Sequence, residues 1–211
     1  MSATVFSHNN NKLICNDKRL RNDTKEGENN MIERKVILYI AMSLDGYIAT
    51  ENNELDWLSI VEIPNEDYGY EKFVKGVDTV IMGRKTYDKV LSYGVNFPHK
   101  GRKCYVISRA RTGFDENVEY YSGNLKNLIE DLKNREGSNI FVDGGAEIVN
   151  ELLRIDMIDE FIISIIPIFL GSGIRLFKDG RPNQRLKLKS TKEFTSGLVQ
   201  LWYEKLMGNI L

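Results

Sequence analysis

In Phe141-Val-Asp-Gly-Gly-Ala-Glu-Ile148 an apolar run stops at two glycines, and a helix-forming stretch begins at once. Ile148 and Leu152, with Val149 and Leu153, stand four residues apart, so Ala146 to Leu153 offers two adjacent rows of one helix face to a core. A strand that enters a helix through glycine exposes backbone N–H groups and the positive end of the helix dipole, and lets a ligand approach the main chain. A pyrophosphate suits that geometry. Taken alone, the pair reads equally as an ordinary tight turn. Its meaning depends on what the rest of the chain places beside it.

The same alternation surrounds this segment on both sides. Val36 to Ala41 and Val77 to Met82 are continuous apolar runs, of the kind expected for strands covered on both faces; Gly83 closes the second, and the helical stretch Lys85 to Leu91 follows. A further helix is predicted over about 66 to 75. Lys103 to Ser108 reads as a strand, and Leu125, Leu128, Ile129 and Leu132 form the stripe of a helix packed on a sheet. Phe161 to Ile166 is β-branched and buried in character. Arg185 to Thr195 and Leu198 to Leu206 read instead as two antiparallel strands joined near Ser196-Gly197. The pattern predicts an α/β chain in three layers, a mostly parallel central sheet between helices with an antiparallel hairpin at its C-terminal edge.

Residues 1–32 are rich in Asn, Lys, Asp and Glu and are expected to form a disordered extension, with Met31 as an alternative start; residues 33–211 are expected to form the domain. The net charge of −1 over 211 residues supplies no field for nucleic acid or an anionic membrane, so the expected ligand is a small molecule. No run reaches the roughly 18 apolar residues of a membrane span. Cys15 and Cys104 form no CxxC, and His8 and His99 are the only histidines, so neither a metal site nor a disulfide framework is suggested. A cytoplasmic location is expected.

A second turn, Val80-Ile-Met-Gly-Arg-Lys-Thr-Tyr87, resembles the first in chemistry. Arg84 and Lys85 supply cationic donors and Thr86 a hydroxyl beside helix N–H groups, which suits phosphate; solvated bases and a capping threonine would explain the same residues. Two such turns at neighbouring strand ends let a dinucleotide span them, because ligands of α/β sheets gather at the carboxyl ends of strands. Ser108, Arg109 and Arg111 follow the third strand, where an arginine can pair with a 2′-phosphate or stand in solvent. In Met42-Ser-Leu-Asp-Gly-Tyr-Ile-Ala49, Asp45-Gly46 signals a turn before an apolar pair able to cover a flat ring, and Asp45 is either catalytic or a turn residue.

These motifs in this order resemble the dihydrofolate reductase superfamily, in particular stand-alone proteins of the riboflavin-biosynthesis reductase-domain (RibD C-terminal) type. The resemblance covers about residues 35 to 206 and rests on Ser43–Ala49, Met82–Tyr87, Val142–Glu147, Ile166–Gly173 and Leu176-Phe177. It implies a sheet of about eight strands, NADPH over its carboxyl edge, hydride transfer to a carbon–nitrogen or carbonyl double bond, and a homodimer. It further implies that Gly83, Arg84 and Thr86 contact cofactor phosphates, Ser108 and Arg109 the 2′-phosphate side, and Gly144, Gly145 and Ala146 the pyrophosphate, while Ala41 and Ile48 flank the nicotinamide. True dihydrofolate reductases carry a catalytic carboxylate sixteen residues before the glycine corresponding to Gly83, which is Asp67 here. Asn65-Glu66-Asp67 reads also as a helix cap followed by acids.

Glu71 stands where folate enzymes have an aromatic residue, so the substrate expected is another pterin-like or pyrimidine heterocycle. The zinc signature of the linked deaminase is missing from the sequence, so a single-function reductase is expected rather than the two-function enzyme. Reduction of 5-amino-6-(5-phosphoribosylamino)uracil and non-catalytic nucleotide binding are the alternatives. A phosphorylated substrate would need a cationic pocket, for which Lys72, Lys75, Arg175 and Lys178 are all candidates.

Overall fold

The computed structural model describes residues 33–206. The predicted extension, with His8, Cys15 and Met31, lies outside the described residues. In chain order the elements are β1 (Val36–Ser43), β2 (Tyr47–Ala49), a 3₁₀ turn at Asp56–Val61, α1 (Tyr70–Val74), β3 (Val77–Gly83), α2 (Arg84–Ser92) and β4 (Lys103–Ile107). They continue as β5 (Gly113–Phe114), β6 (Glu119–Tyr121), α3 (Leu125–Lys133), β7 (Asn139–Gly144), α4 (Ala146–Arg154), β8 (Glu160–Ile166), β9 (Ile174–Arg175), β10 (Leu186–Glu193) and β11 (Val199–Lys205).

Among the described residues the main sheet has nine strands in the order β10-β11-β8-β1-β7-β3-β4-β6-β5, one more than the resemblance implies. From β8 to β6 every pairing is parallel; β11 joins β8 antiparallel, and β10 closes the hairpin. The ninth strand is β5, a two-residue edge piece paired antiparallel with β6 that carries no apolar run long enough to announce itself.

The continuous apolar runs are explained by burial on both faces. Along β1, Val36, Leu38 and Ile40 meet α3 and α4 through Ile129, Leu132, Val149 and Leu152, all essentially inaccessible. Ile37 and Tyr39 face the other way, into the layer of α1 and α2 with Tyr70, Tyr87 and Val90. Three layers follow from the alternation of side chains along a strand. Helix α3 is capped by Asn124, whose side chain accepts from Lys126 N and Asn127 N at 2.9 and 3.3 Å. Helix α1 is shorter than predicted, because Asn65 (φ 65°), Tyr68 (φ 57°) and Gly69 (φ 85°) interrupt any helix over 66–69. A small cluster of Ala41, Ala49, Leu55, Leu58, Val61 and Ile166 seals the carboxyl end of β1 and β8 under the β2 loop.

Candidate functional site

The two glycine turns meet. Gly83, at the end of β3, and Gly145, between β7 and α4, stand side by side: a Cβ on Gly145 would lie 3.2 Å from Thr86 Oγ1, and one on Gly83 would lie 3.2 Å from Ile148 Cγ1. Each helix start therefore leans on the other's glycine, and a larger residue at either would close the gap between them. Gly144 has φ 102°, which an L side chain rarely tolerates, and the Gly144–Gly145 peptide is cis.

Above the turns lies a cleft of about 1170 Å³, lined by Ile48, Gly83, Arg84, Thr86, Ser108, Arg109, Gly145 and Ala146 among others. Gly144 is buried just beneath. Two further expected residues do not line it. Ala41 is 4% exposed and packs into the cluster under β2. Asp67 is turned to its own backbone, its two carboxylate oxygens accepting from Gly69 N at 2.9 Å and Glu71 N at 2.7 Å, which fastens the start of α1. The space beside it is filled: Tyr39 donates to Tyr68 O at 2.9 Å, and Gln200 Nε2 donates to the Tyr39 hydroxyl, Tyr68 O and Ser164 Oγ within 3.2 Å. Burial, moderated by Gln200, holds the Tyr39 phenol well above its ordinary pKa. Asp67 thus fastens the start of α1, where the sequence reading places the cap at Asn65.

Six cationic side chains line the cleft, Arg84, Lys85, Lys89, Arg109, Arg175 and Lys178, against the carboxylates of Glu51, Asp88 and Glu147. Asp88 is already engaged by Arg84 at 2.8 Å and by Arg111 at 2.6 Å. Arg111 is therefore neutralised by the protein, whereas Arg109 makes no ion pair among the described residues. Ser108 Oγ accepts from Ala110 N at 3.2 Å and Arg111 N at 2.9 Å, and so shapes the turn that presents Arg109.

In the wall formed by Ser172 to Lys178, the sequence offered only Arg175 and Lys178 as candidates, for a substrate phosphate. The wall's β9 pairs with β2, and the Arg175 guanidinium lies 4.8 Å over the Tyr47 ring. Buried Asn150 of α4 donates to Leu176 O at 2.7 Å and accepts from Lys178 N at 2.8 Å, fastening this wall to the helix that begins at the double-glycine turn. The available signal was Gly173, at φ 138°, where a Cβ would strike Ala49 O at 2.2 Å. Of the four cations considered for a substrate phosphate, Arg175 and Lys178 line the cleft. Asp45 belongs to the same assembly. It accepts from Ser43 Oγ at 2.5 Å, Leu170 N at 3.1 Å and Gly171 N at 2.7 Å. Partial desolvation opposes its ionisation, but these donors outweigh it and hold the carboxyl below the usual range.

Among the described residues, no group of three or more His, Cys, Asp or Glu side chains could hold a metal ion, and no helix is long and apolar enough to cross a membrane.

The family model of the RibD C-terminal domain matches residues 34–200. YwjB of Bacillus subtilis (strain 168), an uncharacterized protein, is 45% identical over 173 residues, 82% of this chain and 98% of that one. The structure of a candidate riboflavin biosynthesis protein from Shewanella sp. PV-4 is 34% identical, covers 82% of this chain and 99% of that chain, and superposes with a TM-score of 0.75. A Thermotoga maritima diaminohydroxyphosphoribosylaminopyrimidine deaminase/5-amino-6-(5-phosphoribosylamino)uracil reductase shares the fold at 16% identity and a TM-score of 0.61, over 82% of this chain and 57% of that chain. The fold is that of a RibD-type α/β domain. This chain belongs to the RibD C-terminal domain family.

Proposed function

We propose that the chain is an NADPH-dependent reductase of a small heterocycle. The observation that carries this reading is the apposition of the two glycine turns: Gly83 and Gly145 leave open a cradle that a Cβ would fill, at the N-termini of α2 and α4. Backbone N–H groups and helix dipoles at such a place favour a pyrophosphate, and the six lining cations reinforce it in a chain whose net charge is −1. Ser108 and Arg109 would hold the 2′-phosphate, with Arg109 available because Asp88 has taken Arg111. When bound, the cofactor supplies a hydride; the chain's residues bind it, and Ile48 with Tyr47 shields one side of the cleft. The fit is good for the phosphates and gives Asp67 no part in it.

Reduction of a phosphorylated ribosylaminopyrimidine, the reaction for which the Thermotoga protein is named, is favoured within this reading by Arg175 and Lys178, which carry no ion pair among the described residues. The test is direct. NADPH and NADH affinities are measured by titration, and then NADPH oxidation is followed by absorbance with dihydrofolate and the ribosylaminopyrimidine phosphate as first substrates. Turnover with the phosphate ester alone supports the narrower reading. Failure to bind either cofactor overturns the reductase reading.

A further inference from the structure

Below the double-glycine turn lie a histidine and an aspartate that the site described above does not use. Asp143 is the last residue of β7 before Gly144, and His99 comes from the connection between α2 and β4; both side chains are 0% exposed, with Nε2 and Oδ2 3.5 Å apart. Neither imidazole nitrogen and neither carboxylate oxygen has a hydrogen-bond partner among the described residues. The imidazole is boxed by the edges of Phe97 and Phe141, at 5.5 and 5.7 Å between ring centroids. An isolated ionised carboxylate in such surroundings is strongly disfavoured, so Asp143 needs either a proton or a cation, and the imidazole is the group in contact that can provide one.

The location gives the pair its meaning. His99 belongs to the segment that leaves α2, whose first residues form one phosphate turn, and Asp143 belongs to the strand whose end forms the other. The pair therefore packs the connection that follows α2 against the end of β7, directly before the turn where Gly145 meets Thr86. We propose that His99 and Asp143 share a proton as a buried positioning pair that sets the Gly144–Gly145 turn in register with the Gly83 turn. The pair touches no ligand; it acts through the turn. Its consequence for NADPH rests on the reductase reading above, whereas its consequence for the turn does not.

The other ionisable group brought toward the pair is Cys104 of β4, with Arg102 beyond it. Burial first, and then the charge of Asp143, push the Cys104 thiol up to about 12. Cys104 stays protonated and neutral through the working range and so offers Asp143 no counter-charge.

Four proteins test the proposal: wild type, His99→Phe, Asp143→Asn and the double variant. The first readout is the amide resonances of Gly144 and Gly145 in the cofactor-free chain, with thermal unfolding as the check on folding. Asp143→Asn keeps the shape and can hydrogen-bond a neutral imidazole, so the glycine resonances and NADPH affinity should stay within about threefold of wild type. His99→Phe leaves the carboxylate bare; it should shift both glycine resonances and weaken NADPH by about tenfold or more near pH 8. The double variant should recover most of both.

His8 and His99 are the only histidines, so in a His8→Asn background the single remaining imidazole reports the shared proton, and it should respond to Asp143→Asn. A folded His99→Phe with wild-type glycine resonances overturns the proposal, and so does a double variant that recovers nothing. Glycine shifts that follow the expected pattern in a protein that binds no NADPH would leave the pair standing and remove the cofactor reading instead.

Discussion

The two ends of the parallel strands use cations in opposite ways. At the amino ends, charge is spent on the protein itself. Arg34, with a side chain 5% exposed, binds Asp78 and donates to Ser138 O at 2.7 Å, Leu132 O at 2.8 Å and Thr79 Oγ1 at 2.9 Å. Buried Glu160 accepts from Lys35 at 2.5 Å, Lys189 at 2.9 Å and Trp202 Nε1 at 2.7 Å. At the carboxyl ends, Lys85, Arg109, Arg175 and Lys178 line the cleft with no carboxylate partner among the described residues. A cation that has found its anion inside the fold secures the fold, and one left without is available to a ligand.

The strongest way to break this contrast is at the open end. Gly145→Val puts a branched side chain into the 3.2 Å gap to Thr86 and should abolish NADPH binding, while unfolding free energy falls only about 1–3 kcal/mol. Retained affinity in the folded variant would show that the cofactor does not use this turn. At the closed end the cost should fall on stability alone. Arg34→Met strands two backbone carbonyls and removes the ion pair with Asp78, and should destabilise by about 3 kcal/mol in urea titration, leaving cofactor affinity unchanged. A loss of affinity in the folded protein would couple the ends.

Arg109→Ala sharpens the contrast within the cleft. A charge-assisted pair contributes about 1.5–3 kcal/mol, so NADPH should weaken roughly ten- to a hundredfold and NADH hardly at all. Equal losses would take the 2′-phosphate away from Arg109. Glu160→Gln gives a pH signature. Burial opposes ionisation of Glu160, but the hydrogen bonds from Lys35, Lys189 and Trp202 outweigh it and hold the carboxyl below its ordinary range. Its stabilisation is therefore complete above the unfolded value of about 4.3 and is lost as pH falls through the lower folded value. Wild type should exceed the variant by about 1–2 kcal/mol near neutrality and converge with it in acid. A difference that grows on acidification would reverse the sign. The smallest effect is expected at Asp67. Asp67→Asn keeps one acceptor for the α1 turn and should cost about 1 kcal/mol of stability with turnover changed less than about threefold. A hundredfold loss of turnover would restore the catalytic role that the spacing from Gly83 suggested.

The sheet was legible because its strands are buried on both faces, which forces continuous apolar runs such as Val36 to Ala41, and because α3 and α4 must show a stripe to the core. The two glycine turns that line the cleft were legible for a related reason. A strand that ends in glycine before a helix is a local event, and Gly83, Thr86, Gly145 and Ala146 are written beside the elements they terminate or begin.

What depended on packing between distant segments was not legible. Asp67 stands at the spacing of a catalytic acid, yet the positive φ of Tyr68 and Gly69 turns its carboxylate onto its own backbone, and Tyr39 and Gln200 fill the space beyond. The Arg175 wall takes its place from Asn150 and Tyr47, 25 and 128 residues away in sequence. The chain alone determined the alternation of strands and helices and the two glycine turns, because backbone conformation and hydrophobic period are local. Only the tertiary structure decided which cations are paired, where Asp67 points and that His99 lies against Asp143, because ion pairing and burial depend on neighbours brought together by the folded chain.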